Sequence, residues 1–138
     1  MNLFFDTSAF LKRYIFESGS DHVENLCYSA NNIGISILLP IEALAAFNRL
    51  KREKKITSKQ YTQIKSAFLS DIRDITVLLI DPIIVKKSIN VIEKSHLKTL
   101  DAAHIGCALE YAPDYFVSSD KQQLIAAKKL GLKIKKIV

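Results

Sequence analysis

Apolar residues in this chain alternate between two spacings. Short runs in which nearly every position is apolar, such as Leu3-Phe4-Phe5 and Ile33 to Leu38, are separated by longer stretches where apolar residues return every three or four positions. The first spacing suits strands buried on both faces, and the second suits helices with one packed face. Asn2 to Phe5 is therefore expected to be a short buried strand, followed by a helix from about Ser8 to Phe16. A turn at Ser18-Gly19-Ser20 leads into a second helix, near Asp21 to Ala30. Ile33 to Leu38, rich in β-branched residues, reads as the second strand, and Pro40 suits the first turn of a helix reaching about Lys54.

The second half continues the pattern. Thr57 and Gln60 have capping-box spacing, and Ile56 with Tyr61 fits a hydrophobic staple, so a helix is expected from Ser58 to about Arg73. Ile75 to Ile80 reads as a strand, closed by Asp81 as cap and Pro82 as the first residue of a helix to about Lys94. Thr99 is expected to cap a helix through about Tyr111. Tyr115 to Ser118 is a fourth strand, Lys121 to Leu130 a helix ended by Gly131, and Leu132 to Val138 a last edge strand.

Strands separated by helices predict an α/β fold: a central, mostly parallel sheet of about five strands with helices on both faces. Nothing breaks the pattern into parts, so residues 1–138 are expected to be a single domain, long enough for a real core. Pro40 to Asp74 holds no strand and is expected to stand beside the sheet as a helical hairpin.

Charge narrows the partners. Lys and Arg total 20 against 14 Asp and Glu, a formal charge of +6 that favours an anionic partner such as nucleic acid but carries no sequence specificity. Many surface lysines on a soluble protein give the same figure. Cys27 and Cys107 stand far apart without metal or redox spacing, so reduced thiols are expected. No basic leader precedes the first strand and no apolar run approaches the roughly 20 residues of a bilayer span, so a cytoplasmic location is expected.

Four acids fall where segments change character. Asp6 follows Leu3-Phe4-Phe5, Glu42 follows Pro40, Asp101 follows Thr99, and Asp120 ends Phe116-Val117-Ser118-Ser119. Each has a structural reading: Asp6 and Asp120 as helix caps, Glu42 and Asp101 as acids in a first helical turn, where the dipole favours them. Taken together they occupy the ends of strands and starts of helices where open α/β folds gather their chemistry. Carboxylates crowded there repel one another and call for a divalent cation.

Asp6-Thr7-Ser8-Ala9, Glu42, Leu100-Asp101-Ala102-Ala103-His104 and Val117-Ser118-Ser119-Asp120 resemble the motifs of PIN-domain nucleases. Tyr14 to Ser20 is similar to the segment after the first helix in VapC-type toxins. The resemblance runs from Asn2 to about Ile137. It implies a three-layer α/β/α fold whose four acids converge on Mg²⁺ or Mn²⁺, with Ser8 and Ser119 as supporting hydroxyls. It also implies an RNA substrate, a metal-dependent endoribonuclease activity, homodimerisation and a cognate antitoxin. One departure is that Lys121-Gln122-Gln123 follows Asp120, where some members carry a further acid.

Hard oxygen donors suit Mg²⁺ and Mn²⁺, and the three histidines, His22, His96 and His104, form no cluster with cysteine that would suit zinc. His104 lies three residues after Asp101, near its helical face; it is read either as a packed histidine or as a partner behind a ligand. For substrate contact, Lys12 and Arg13 follow the first acidic motif by one to two helical turns, and Arg49, Lys51, Arg52, Lys54 and Lys55 close a later helix. Two other classes stay open: a phosphoacceptor domain, which wants adjacent acids after the first strand, and a non-catalytic nucleic-acid-binding module. Within the nuclease class, a housekeeping RNA-processing enzyme remains beside the toxin.

Overall fold

Leu3, Phe4 and Phe5 are all fully buried although successive side chains of a strand point to opposite sides, so both faces of the first strand must be covered. The computed structural model, describing residues 1–138, shows what covers them. Strand β1 (Asn2–Phe5) is the centre of a five-stranded, all-parallel sheet of order β3-β2-β1-β4-β5. The other strands are β2 (Asn32–Ser36), β3 (Thr76–Leu78), β4 (Tyr115–Ser118) and β5 (Ile134–Lys136).

Leu3 and Phe5 join a core with Phe10, Phe47 and Phe68, under α1 (Thr7–Phe10), α2 (Ser20–Ser29), α3 (Leu38–Arg52) and α4 (Ser58–Asp71). Phe4 joins a second core with Phe116, Ile105 and Leu124, under α5 (Pro82–Lys94), α6 (Thr99–Tyr111) and α7 (Lys121–Lys129). This is the expected three-layer fold. Phe4 stands in register with Phe116 on one side and Gly34 on the other. A Cβ at Gly34 would lie 2.9 Å from the Tyr111 ring, so the glycine lets the end of α6 settle on the sheet. No helix is long and apolar enough to cross a membrane.

Local signals held where their partners are local. Thr57 and Gln60 form a complete capping box, Asp81 accepts the Ile84 amide with Pro82 in the first turn, and Gly131 takes φ +94° after α7. The first helix is shorter than expected: α1 gives way to a 3₁₀ turn at Leu11–Arg13, and Phe16 is exposed. Tyr14 accounts for the break. Its ring packs against Phe10, Phe47 and Phe68, a tertiary demand that outweighs helical propensity. The helix after β2 starts at Leu38, whose amide bonds to the Ser36 hydroxyl, with Pro40 in its first turn. Lys98, not Thr99, is the residue before α6, which places Asp101 third in the helix.

Candidate metal centre

The order β3-β2-β1-β4-β5 means that the chain leaves β1 to one side and returns to the other, so the carboxyl ends of β1 and β4 form the switch point at which open α/β sheets bind their ligands. Asp6 is the first residue past β1 and its amide bonds to Val117 of β4. It is completely buried, and both carboxylate oxygens are taken. Oδ1 accepts the Ala9 amide at 3.0 Å and the Ser8 hydroxyl at 2.8 Å; Oδ2 accepts Ser118 at 2.7 Å and Ser8 at 2.8 Å. Burial pushes the Asp6 pKa up to about 6 against these donors and the pull of His104. The cap and the site are the same residue.

Glu42 arrives from α3, five residues into the helix and therefore past the first turn, so the dipole reading does not account for it. Its Oε1 accepts the Thr7 hydroxyl at 2.6 Å and lies 2.5 Å from His104 Nε2. Burial alone would raise the Glu42 pKa, but the bonds from His104 and Thr7 outweigh it and hold the carboxyl below its usual value. His104 is only 1% exposed and its Nδ1 has no partner. The ring meets Glu42 and Thr7 through Nε2 alone. The histidine is both packed and a partner behind an acid.

Asp101 and Asp120 complete the group. Asp101 Oδ1 accepts the Gln123 side-chain amide at 3.1 Å, and Asp120 Oδ1 caps α7 by accepting the Gln123 main-chain N–H at 3.0 Å. Burial raises the Asp101 pKa, and the nearby charges of Asp120 and Glu42 raise it further. The four predicted acids therefore share one electrostatic neighbourhood. Around fully bonded Asp6, each of Glu42, Asp101 and Asp120 has one oxygen bonded and the other, Oε2 or Oδ2, without a side-chain or main-chain donor.

As the side chains stand, no three acids converge on one point at ligating distance. The donor chemistry nevertheless fits a hard divalent ion: three free carboxylate oxygens at the switch point, whose mutual repulsion such an ion relieves.

Of the supporting hydroxyls, Ser8 bonds Asp6 as expected. Ser118, not Ser119, supplies the second hydroxyl; Ser119 contributes its main-chain N–H to Ser8 at 3.2 Å. Lys12 and Arg13 are not brought to the switch point as free cations. Lys12 bonds Glu17 and the Ser18 carbonyl at 2.7 and 2.8 Å, and Arg13 pairs with Glu24 and Asp71. Their acids come from outside the motif, which helical spacing from Asp6 could not reveal. Arg49 takes part in none of the ion pairs. It lines a cleft of about 320 Å³ with Ser8, Ser119, Leu11, Ile15, Ala46, Leu50 and Glu17, the last paired with Lys12. Thr7, Ser118 and Gln123 were not singled out as contacts of the acids; their positions within or next to the acidic motifs were the only signal.

A family model described as PIN domain matches residues 3–129. By sequence, no curated protein matches the chain. Solved structures similar to it include VapBC2 from Rickettsia felis bound to a DNA fragment from its promoter, 12% identical with TM-score 0.72, covering 100% of each chain. FitAcB from Neisseria gonorrhoeae is 11% identical with TM-score 0.73, covering 96% of this chain and 95% of that one. VapC20 from Mycobacterium tuberculosis, described as a toxin cleaving the sarcin–ricin loop, is 12% identical with TM-score 0.67, covering 94% and 95%.

Proposed function

The chain belongs to the PIN-domain family, and from that membership we propose that it is a divalent-metal-dependent endoribonuclease, the toxin of a toxin–antitoxin pair. The observation that carries the chemistry is the set of free oxygens on Glu42, Asp101 and Asp120 beside Asp6 at the switch point of the sheet. These three residues, with Asp6, would hold Mg²⁺ or Mn²⁺. When bound, such an ion lowers the pKa of a water and offsets charge on the phosphodiester.

The protein's own groups prepare that site. Ser8 and Ser118 fix the Asp6 carboxylate, and Thr7 with His104 fixes that of Glu42. Arg49, across the cleft from Ser8 and Ser119, is placed to bind a phosphate of the substrate. The formal charge of +6 draws a polyanion to the surface. The toxin role is supported by two fold neighbours, one described as a toxin–antitoxin complex from Klebsiella pneumoniae and the other, VapC20, as a toxin. A homodimer is part of this reading: Ile83, Val85, Ile89 and Ile92 of α5 are exposed beside Leu100 of α6, an apolar face that a second copy can cover.

The decisive experiment incubates labelled RNA and DNA with the protein and Mg²⁺ or Mn²⁺, alongside Asp6→Asn and Asp101→Asn. Loss of several kcal/mol of stabilisation predicts RNA cleavage slowed by on the order of a thousandfold in each variant. Cleavage that persists in both sinks the proposed centre. Growth arrest on expression of the protein, absent for Asp101→Asn, distinguishes a toxin from a housekeeping enzyme.

A further inference from the structure

Two helices of this protein begin with the same local arrangement and use it differently. In α4 the capping residue Thr57 accepts the Gln60 amide, and the Gln60 side chain returns to the Thr57 N–H at 2.8 Å, closing the box. In α7 the capping residue Asp120 accepts the Gln123 amide at 3.0 Å, so Gln123 occupies the equivalent position. Its side chain does not return. The Asp120 N–H bonds instead to the Ser118 hydroxyl at 2.9 Å, and Gln123 Nε2 reaches across to Asp101 Oδ1 at 3.1 Å.

Gln123 is 4% exposed, and its Oε1 is buried with no partner. An unpaired buried carbonyl is costly, and a local alternative that would satisfy a glutamine at this position exists in the same molecule. The amide cannot profitably be reversed, because its oxygen would then face the Asp101 carboxylate. One residue thus bonds two acids, Asp120 through its main-chain N–H and Asp101 through its side-chain amide, and keeps a buried acceptor unused.

We propose that Gln123 is a positioning residue of the metal centre: its side-chain and main-chain N–H groups hold Asp101 and Asp120 with their second oxygens free, and its Oε1 would accept a hydrogen bond from a water of the bound divalent cation. The inference rests on the metal-centre reading above. It gives a neutral amide a place where another carboxylate would add charge, and so makes Gln123 a determinant of cation affinity. Outer partners of metal ligands typically change affinity by about 10–100-fold when removed.

The test is Mn²⁺ uptake without RNA, read from the paramagnetic resonance signal of free Mn²⁺. Gln123→Met keeps the volume and helix propensity but removes both polar atoms; its Kd for Mn²⁺ is expected to rise roughly tenfold. Gln122→Met, on the exposed neighbour, is expected to match the unaltered protein. A purely structural glutamine would lower the melting temperature in chelator yet leave Kd in place, so a Gln123→Met Kd within about twofold of the unaltered value overturns the assignment. If Gln123→Met does not fold, Gln123→Glu is used. The added carboxylate is expected to lower the melting temperature in chelator and enlarge the rise produced by Mn²⁺; an unchanged rise overturns the proposal. Should the unaltered protein take up no Mn²⁺, the metal centre itself fails. Uptake abolished by Asp101→Asn but untouched by Gln123→Met removes only the role of Gln123.

Discussion

Asp71 and Asp6 both accept hydrogen bonds from side chains of distant segments, yet the charges that surround them differ. Asp71, at the end of α4, receives the Tyr14 hydroxyl at 2.7 Å and stands 3.9 Å from the Arg13 guanidinium, which also meets Glu24. Charge meets opposite charge, and the Tyr14 hydroxyl, buried and bonded to a carboxylate, is held far above its ordinary pKa. Around it Phe10, Phe47 and Phe68 pack edge to face. Asp6 receives only neutral donors, shares its surroundings with three further acids, and has its pKa raised. Two buried atoms nearby, His104 Nδ1 and Gln123 Oε1, have no partner. A cluster that completes its own bonding supports the fold; one that leaves carboxylate oxygens without donors is, in the function proposed above, where a cation would bind.

The contrast can be broken most forcefully from the aromatic side. Phe68→Ala is expected to cost about 4 kcal/mol of stability in urea unfolding, because a fully buried ring leaves a cavity among three others. Its Mn²⁺ affinity below the transition should match the unaltered protein. A large change in that affinity would show that the two clusters are not independent.

The next effect lies in pH. The folded pKa of Asp6, about 6, exceeds its ordinary value of 3.8, so between those values the native state binds the extra proton. Stability in chelator should therefore fall as pH rises from about 4 to about 6, by on the order of 3 kcal/mol relative to Asp6→Asn. Parallel profiles for the two proteins would refute the buried charge.

Metal sharpens the difference further. Mn²⁺ at a hundredfold excess over its Kd should raise stability by about 2.7 kcal/mol through preferential binding to the native state. Asp71→Asn should keep that increment and Asp101→Asn should lose it, both read by melting temperature. The smallest effect is Tyr14→Phe, expected to cost about 1 kcal/mol for one hydrogen bond and to leave both the pH profile and the Mn²⁺ increment unchanged. An altered Mn²⁺ response in Tyr14→Phe would contradict the separation.

Several parts of this architecture were legible before any coordinates. The alternation of apolar spacings specified helices between parallel strands, and the caps at Thr57, Asp81 and Asp120 marked helix starts that the structure reproduces. The four acids stood out by position and by their resemblance to the PIN-domain motifs. Less legible was how they are held. Helical spacing made Lys12 and Arg13 look like phosphate contacts, but Glu17, Glu24 and Asp71 engage them. The tandem serines did not reveal which hydroxyl faces Asp6, and Glu42 looked like an ordinary first-turn acid.

The sequence by itself determined the elements, their layering and the residues at the mouth of the sheet, because periodicity, caps and breakers act through neighbours within about four positions. Tertiary structure decided the partners. Glu42 meets Thr7 and His104 across 35 and 62 residues of chain, Asp6 meets Ser118 across 112, and Gln123 meets Asp101 across 22. Which oxygen is bonded and which left free depends on those long-range approaches. No local pattern encodes them, since a side chain's propensity is fixed by its own backbone while its hydrogen-bond partners are fixed by the packing of the whole sheet and its two helical layers.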